Sequence, residues 1–421
     1  MAAFNQGGGA GVNPVVAHNL PGSSSDAPSL ATNRVSSPSA FPKPVISICL
    51  LRNVEVVKPD GNIDIVTALE AEWVARGQNG NGHSVAFGSE DNPHYMDAAE
   101  FARYAYPSNG DFNQNVAKSA DAAPTVYSHI YELTREIKET IFGSVHHGII
   151  LIPNPAGDGR FVRMQPYKQV AVKVYYKSRL RSLRGRTHEN PLCEIAAMQF
   201  MGQHMHVISQ LECCSDGDNV YSIMEFIEGG ELYDLVGDES GGGAVAEGLT
   251  RDLFRQLVLG LRHLHERGVG HRDFSLENVM YSPPKPNQGQ RQGVVKIIDF
   301  GMCMRVPKDE ATGVLLKVPP QGSCGKKNYI APEVLENVSA FNPLMVDIWA
   351  LGVILFIMLT GYPPMDAATP VDLRYRMVAA GQIGALLEGY VFKKVIPLFC
   401  CSHTIFPVVY WEALMFFYHT M

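Results

Sequence analysis

Three short constellations in this sequence hold residue types that can move a phosphoryl group, at workable spacing. In His271-Arg272-Asp273-Phe274-Ser275-Leu276-Glu277-Asn278 a carboxylate stands five residues before an amide. Phosphoryl transfer needs a carboxylate to orient the attacking hydroxyl and a second oxygen ligand close by for magnesium, and Asp273 and Asn278 suit those roles. Downstream, Asp299-Phe300-Gly301 puts a carboxylate after the apolar run 294–298, where it can hold magnesium against phosphates. Upstream, Val170-Ala171-Val172-Lys173 ends on an ammonium able to reach phosphate oxygens. A buried ammonium needs a carboxylate partner, and Glu194 follows on the next helix-like run. Taken alone, each motif also reads as a surface loop or a solvated ion pair. Their order, and the 26-residue interval from Asp273 to Asp299, carry the inference.

Strands and a helix must hold these groups in place. Apolar alternation over 145–152 and 170–175 predicts two strands, separated by a polar insert at 154–168 marked by Gly and Pro. Arg179, Arg181, Arg184 and Arg186 read as a solvated loop, and a helix is expected over 191–201. Two more strand signals fall at 207–212 and 220–226. From Thr250 onward Leu253, Leu257, Leu261 and Leu264 recur at the spacing of one helix face. The segment 348–359 is almost wholly apolar but short for a bilayer, which favours a helix buried on all sides. A β-rich first part and a helical second part predict an α+β fold of two lobes with a cleft between them.

The flanks read differently. Residues 1–42 are rich in Gly, Ser, Pro, Ala and Asn with Asp26 and Arg34 as their only charges, a composition expected to stay disordered. From 43 to about 125 the signal is mixed: a strand-like 45–57, a short helix at 98–106, and Gly/Asn/Ser interruptions. No folded domain is expected there, so the domain is drawn from 131 to 390. The chain has 421 residues and a formal net charge of −7, which argues against nucleic acid or an anionic membrane as its main partner. Its eight cysteines form no CxxC pair, and no basic region precedes an apolar run at the start. Reduced thiols in an intracellular protein, cytoplasmic or nuclear, fit this best. His146, His147, His204 and His206 suit structural roles better than metal ligation.

The set V-A-V-K, a glutamate on the following helix, H-R-D-x-x-x-x-N, D-F-G and Ala331-Pro332-Glu333 resembles the eukaryotic protein kinase family over about 260 residues. The resemblance implies a β-rich N-lobe over about 131–227, a mainly helical C-lobe over about 228–390, and ATP with Mg2+ in the cleft. It implies that Gly143, Val145, Ala171, Met224, Glu225, Ile227, Glu231 and Met280 surround the nucleotide beside Lys173. Asn278 and Asp299 become the metal ligands. His271, Phe300, Met198 and Leu211 would stack as an internal column, and Asp347 would anchor the catalytic loop. Arg272 before the aspartate implies control by an upstream activating kinase, with Ser323 and Thr312 as candidate phosphorylation sites. Tyr329-Ile330 before Ala331-Pro332-Glu333 is more like serine/threonine than tyrosine kinases.

The sequence departs from the family's pattern in three places. The glycine-rich loop keeps Gly143 but has Lys138 and Thr140 where glycines let backbone amides approach phosphates. The lysine usual two residues after the catalytic aspartate is Ser275, and the threonine usual after Cys324-Gly325 is Lys326. In the family these side chains meet beside the aspartate, so hydroxyl and ammonium are expected to have exchanged places. Finally, no arginine follows Arg376 to pair with Glu333, and 391–421 reads as a divergent apolar tail on a shortened C-lobe. The expected function is transfer of phosphate from Mg-ATP to Ser/Thr of protein substrates. The alternative is a pseudokinase that binds nucleotide or serves as a scaffold.

Overall fold

Strands in the first half of the chain bury alternate residues against one another, and the computed structural model shows how they close up. It describes residues 46–74, 126–165, 168–236, 244–286, 292–309 and 311–391. β1 (Ser47–Val57) and β2 (Ile63–Val74) make an antiparallel hairpin around Gly61, whose φ of 84° suits the tight turn. The first half of β3 (Val126–Glu139) pairs with β2, and its second half with β4 (Gly143–Pro153). β4 then pairs with β6 (Gln169–Tyr176), β6 with β8 (Asn219–Glu225), and β8 with β7 (Gln210–Ser215). β7 runs parallel to β1, with Ser47 opposite Cys214, so the sheet returns to its first strand and closes into a barrel. The short β5 (Phe161–Arg163), from the polar insert, bridges β4 and β1.

Closure has a physical reason. Leu69, Tyr131, Val170, Val172, Tyr221 and Ile223 all point inward and form one buried cluster, which an open sheet would leave half wet. Each such side chain contributes roughly 1.5–3 kcal/mol when fully buried. The sheet therefore begins at Ser47 and not near Tyr131. The region expected to carry no folded domain supplies two of its strands, although the strand-like signal at 45–57 is where β1 lies. The expected helix at 98–106 and the segments 1–42 and 392–421 lie outside the described residues.

Helices make up most of the second lobe. α1 (Lys177–Leu183) and α2 (Pro191–Met201) leave the barrel, and α3 (Leu232–Val236) follows β8. The arginine-rich stretch is thus partly helical. α4 (Glu247–Glu266) buries Leu253, Phe254, Leu257, Leu261 and Leu264 along one face, as its spacing predicts. That face packs into the same core as Val353 and Ile354 of α6 (Pro343–Thr360). α6 is long and apolar enough to cross a membrane by length and composition, yet 72% of it is buried inside the protein, so it serves as the lobe's core helix. α5 (Pro332–Glu336), α7 (Leu373–Ala379) and α8 (Ile383–Val391) complete the described lobe. Glu333 on α5 is raised above the usual carboxylate range by burial and has no cation partner among the described residues.

Candidate active site

β6 delivers the first functional group. Its period-two alternation sends Val170, Val172 and Val174 into the barrel and turns Ala171 and Lys173 toward the cleft. α2 delivers the second. Asn190 caps it by accepting from the Leu192 and Cys193 N–H groups, Pro191 starts it, and Glu194 falls on the side facing β6. Lys173 Nζ lies 2.8 and 2.9 Å from the two Glu194 carboxylate oxygens, and the Tyr175 hydroxyl donates to Oε2 at 3.1 Å. Burial opposes the Lys173 charge, but Glu194 and then Asp299 more than offset it and raise the ammonium above its ordinary range.

The loops below the cleft supply the rest. Asp347, fully buried in α6, accepts the His271 N–H at 2.7 Å, the Arg272 N–H at 2.8 Å and the His265 ring at 3.0 Å. That anchor holds Arg272 at a φ of 68°, a left-handed conformation costly for a bulky residue and found where backbone is held for function. Asp273 is thereby presented at the cleft. Asn278 Nδ2 donates to Asp273 Oδ2 at 2.8 Å and to its carbonyl at 2.7 Å, which leaves the amide oxygen as the group to offer a cation. Asp299 adopts a φ of 62°, tolerable for an aspartate, and sits 3.8 Å from Lys173. Lys173 holds its carboxyl below the usual range against burial, and the Gly301 N–H assists by donating to it.

The expected pairing of Ser275 with Lys326 is present in space, Lys326 lying on the stretch from Asp299 to Glu333 that the resemblance makes the activation segment. Lys326 Nζ donates to Ser275 Oγ at 2.8 Å and lies 3.7 Å from Asp273 Oδ2, while its backbone N–H donates to Asp273 Oδ1 at 3.1 Å. His271 and Phe300 pack with ring centroids 5.1 Å apart at a tilt of 53°, and Met198 shares the core of Phe300. Leu211 departs from the expected column: it packs against the barrel cluster instead. Arg272 donates to Cys324 Sγ at 3.1 Å, next to exposed Ser323. Thr312 is tied to Asp309 in an exposed turn, its hydroxyl donating at 2.8 Å.

On the nucleotide side, Val145 sits opposite Lys173 and Ala171 opposite Met224 in the strand registers, while Met280 bridges to Glu231. Ile227 packs on the main core, and Glu225 turns its side chain to Lys296 and the Ser209 N–H, while its own N–H donates to the Ser209 carbonyl at 3.2 Å. The turn at 140–143, which the family resemblance makes the glycine-rich lid over the nucleotide, closes on itself. Thr140 N–H donates to Gly143 O at 2.8 Å, and Gly143 N–H donates to Thr140 Oγ1 at 3.1 Å, so both amides are used within the turn. A Cβ on Gly143 would stand 1.9 Å from the Val174 carbonyl oxygen, so glycine is needed there for strand contact with β6. Lys138 pairs with Glu231 at 3.5 Å and lines the cavity that holds Lys173, Glu194 and Asp299.

Sequence reasoning missed three contributors. Arg179 donates to the Thr140 carbonyl at 3.1 Å and stacks over Tyr176, bracing the lid from α1 rather than floating in solvent. Glu189 lines a cavity of about 470 Å³ with Lys173, Glu194 and Asp299; burial first, then Asp299, raises its carboxyl. The Asn190 N–H donates to the Gly301 carbonyl at 2.8 Å and ties the start of α2 to the segment after Asp299. None of these carries a recognisable motif. The histidines make contacts within the fold: His146 bonds Ser144, His147 bonds Gln169, and His204 stacks on His263 at 4.4 Å.

Comparison with known proteins agrees with this geometry. The family model of the protein kinase domain matches residues 160–385, beginning after the lid strands. CBL-interacting protein kinase 17 of Oryza sativa subsp. japonica is 35% identical over 251 residues, covering 60% of this chain and 48% of that protein. CBL-interacting protein kinase 1 of the same organism is 33% identical over 251 residues, covering 60% and 47%. CBL-interacting serine/threonine-protein kinase 3 of Arabidopsis thaliana is 30% identical over 232 residues, covering 54% and 48%. The chain spans about half the length of these curated relatives.

Proposed function

Because this chain belongs to the protein kinase family, we propose that it transfers the γ-phosphate of ATP to serine and threonine hydroxyls of protein substrates. The observation that carries the reading is the ammonium of Lys326, 3.7 Å from Asp273 and bonded to Ser275. It supplies, from the opposite side, the ammonium missing at Ser275. Asp273 orients the substrate hydroxyl and accepts its proton, held in position by Asn278 and the Lys326 N–H. Lys173, fixed by Glu194, grips the phosphate oxygens. Two hard oxygen donors, the ionised Asp299 and the Asn278 amide, suit magnesium, which prefers one or two protein ligands plus phosphate. When bound, magnesium supplies charge that neutralises the phosphate oxygens. Rate enhancement then comes from positioning and charge stabilisation rather than covalent chemistry.

Serine/threonine preference is supported by the names of the relatives and by Tyr329-Ile330 before Ala331-Pro332-Glu333. An intracellular location, cytoplasmic or nuclear, and activation by an upstream kinase belong to the same proposal. The relatives' names record interaction with CBL. With about half of their length present, a protein substrate is extended to this chain and CBL itself is not. One observation favours a second reading, a pseudokinase: the Thr140 and Gly143 amides are spent inside the lid turn and are not offered to phosphate. Phosphate incorporation from Mg-ATP into a generic protein substrate separates the two, with Asp273→Asn as control. Kinase activity predicts incorporation by the wild type that the variant lacks. Binding of ATP without incorporation by either sustains the pseudokinase.

A further inference from the structure

A bulge in β3 turns a lysine onto the cleft face of the sheet. Glu136 pairs with His146 on β4, but Lys138 pairs with Val145, so β3 carries one extra residue at Ile137. In an unbroken ladder Ile137 would stand opposite Val145, and Lys138 would point to the other face. Val145 in turn stands opposite Lys173 on β6. Lys138, Val145 and Lys173 therefore form one row across three adjacent strands, with their side chains on the same face. Bulges next to active sites commonly re-aim a side chain in this way.

The two lysines also line the 470 Å³ cavity, facing four carboxylates there: Glu139, Glu189, Glu194 and Asp299. Lys173 is committed, with its ammonium 2.8 and 2.9 Å from the two Glu194 oxygens. Lys138 is held more loosely. Its ammonium lies 3.5 Å from Glu231 Oε1, and the two side chains are 69% and 34% exposed. An exposed pair at that distance contributes little and exchanges readily for a better anion. We infer that Lys138 is a nucleotide-binding residue: it leaves Glu231 and takes phosphate oxygens of ATP from the lid strand, while Lys173 takes them from β6. This role rests on the proposed function in one respect, that ATP occupies the cleft.

A side chain can do here what the turn's backbone does not. The Thr140 and Gly143 N–H groups are used inside the turn. An ammonium with three rotatable donors on a flexible four-carbon stem reaches a phosphate without any movement of the strand. Its charge also counters the four carboxylates, which repel an incoming polyphosphate. The exchange has a second consequence. The Lys138–Glu231 pair joins β3 to the residue that precedes α3, across the mouth of the cleft, so a ligand that takes Lys138 also opens that bridge. A nucleotide with phosphates replaces the broken pair by a stronger, charge-assisted one, and a nucleoside does not. Lys138 therefore selects for phosphate and not for the base.

Calorimetric titration of the full chain with Mg-ATP and with adenosine tests this, comparing the wild type with Lys138→Ala and Lys138→Arg. Lys138→Ala should weaken ATP binding by roughly five- to twentyfold at low salt. Its adenosine affinity should stay within about twofold of wild type. Lys138→Arg keeps the charge and should hold ATP within about threefold, and the gap between wild type and Lys138→Ala should narrow as salt rises. The side chain is largely exposed, so the unfolding midpoint of Lys138→Ala should match that of the wild type. Unchanged ATP affinity in Lys138→Ala overturns the assignment, as does an equal loss for ATP and adenosine. A gain for both ligands overturns it too, since the bridge then only bars the mouth. Failure here is distinct from failure of the phosphotransfer reading. Phosphate incorporation by a wild type whose ATP affinity ignores Lys138→Ala sinks the assignment alone. ATP binding that depends on Lys138 without any incorporation sinks the phosphotransfer reading alone, and no ATP binding by the wild type sinks both.

Discussion

Replacing Lys326 by alanine is the sharpest test of the exchanged pair. In the structure its ammonium is 3.7 Å from Asp273 Oδ2, with its side chain 36% exposed. Two unit charges about 4 Å apart at an effective dielectric near 20 interact by about 4 kcal/mol, and partial exposure lowers that. A transition-state contribution of about 2–3 kcal/mol is therefore expected, or roughly a 30- to 150-fold fall in kcat/KM at about 1.4 kcal/mol per tenfold. The Lys326 backbone N–H, which also holds Asp273, is retained by the substitution, so loop geometry should survive. Ser275→Ala removes only the 2.8 Å hydrogen bond that aims the ammonium and should cost about tenfold or less. The decisive variant is the reciprocal one, Ser275→Lys with Lys326→Thr, which returns ammonium to the loop and hydroxyl to the segment. It should recover much of what Lys326→Ala loses, measured as initial rates of phosphate incorporation at saturating Mg-ATP. If Lys326→Ala stays within threefold of wild type, the charge is not used and the reasoning fails.

Three further outcomes follow from the same geometry. Glu194→Gln leaves the buried Lys173 without its carboxylate and should destabilise the chain by about 3–5 kcal/mol as well as weaken nucleotide binding, read by denaturant unfolding and nucleotide titration. Leu69→Ala, deep in the barrel, should cost about 2–5 kcal/mol and lower the unfolding midpoint, even though Leu69 lies outside the family-model match. His204 is pushed down to about 4 by burial and by His263, so the folded state resists a proton that the unfolded chain accepts below about 6.5. Its contribution is complete above that value and falls as pH drops toward about 4; His204→Gln should flatten this part of the stability-against-pH curve.

How much could be read in advance depended on how local the signal was. Asp273, Asn278, Asp299, Lys173 and Glu194 are brought together because each sits at a fixed offset from a strand end or a helix start, which sequence order reveals. The Ser275–Lys326 contact was legible too, since two departures from one pattern pointed at each other. The barrel was not. Leu50 and Leu51 of β1 are both exposed, at 58% and 42%, so its alternation is blurred, and residues 75–125 separate β2 from its partner β3. Arg179 looked like one of several solvated arginines because nothing in its neighbours states that Thr140 offers a carbonyl to it.

The eroded lid and the closed barrel have one structural origin. β3 is held along its first half by β2 and along its second by β4, so the turn that follows it is anchored from both sides. Here Thr140 and Gly143 close the turn on themselves, Arg179 braces it from α1, and Phe142 is buried with Tyr175 and Ile195. A turn so fixed gains nothing from glycines at 138 and 140, and its amides cannot pay twice, once to the turn and once to a phosphate. In the proposed kinase, stabilisation of the phosphates would fall on charges below and beside the lid: Lys173 on β6, Lys326, and the magnesium that the Asp299 and Asn278 oxygens would hold. Restoring glycine at 140 alone should therefore remove the Oγ1 acceptor for the Gly143 N–H and loosen the turn without creating a phosphate cradle, because Arg179 and the Phe142 packing remain. Nucleotide affinity of Thr140→Gly equal to or below that of the wild type is the expected titration result, and a severalfold gain would show that the lost glycines, not the fixed strands, limit the lid.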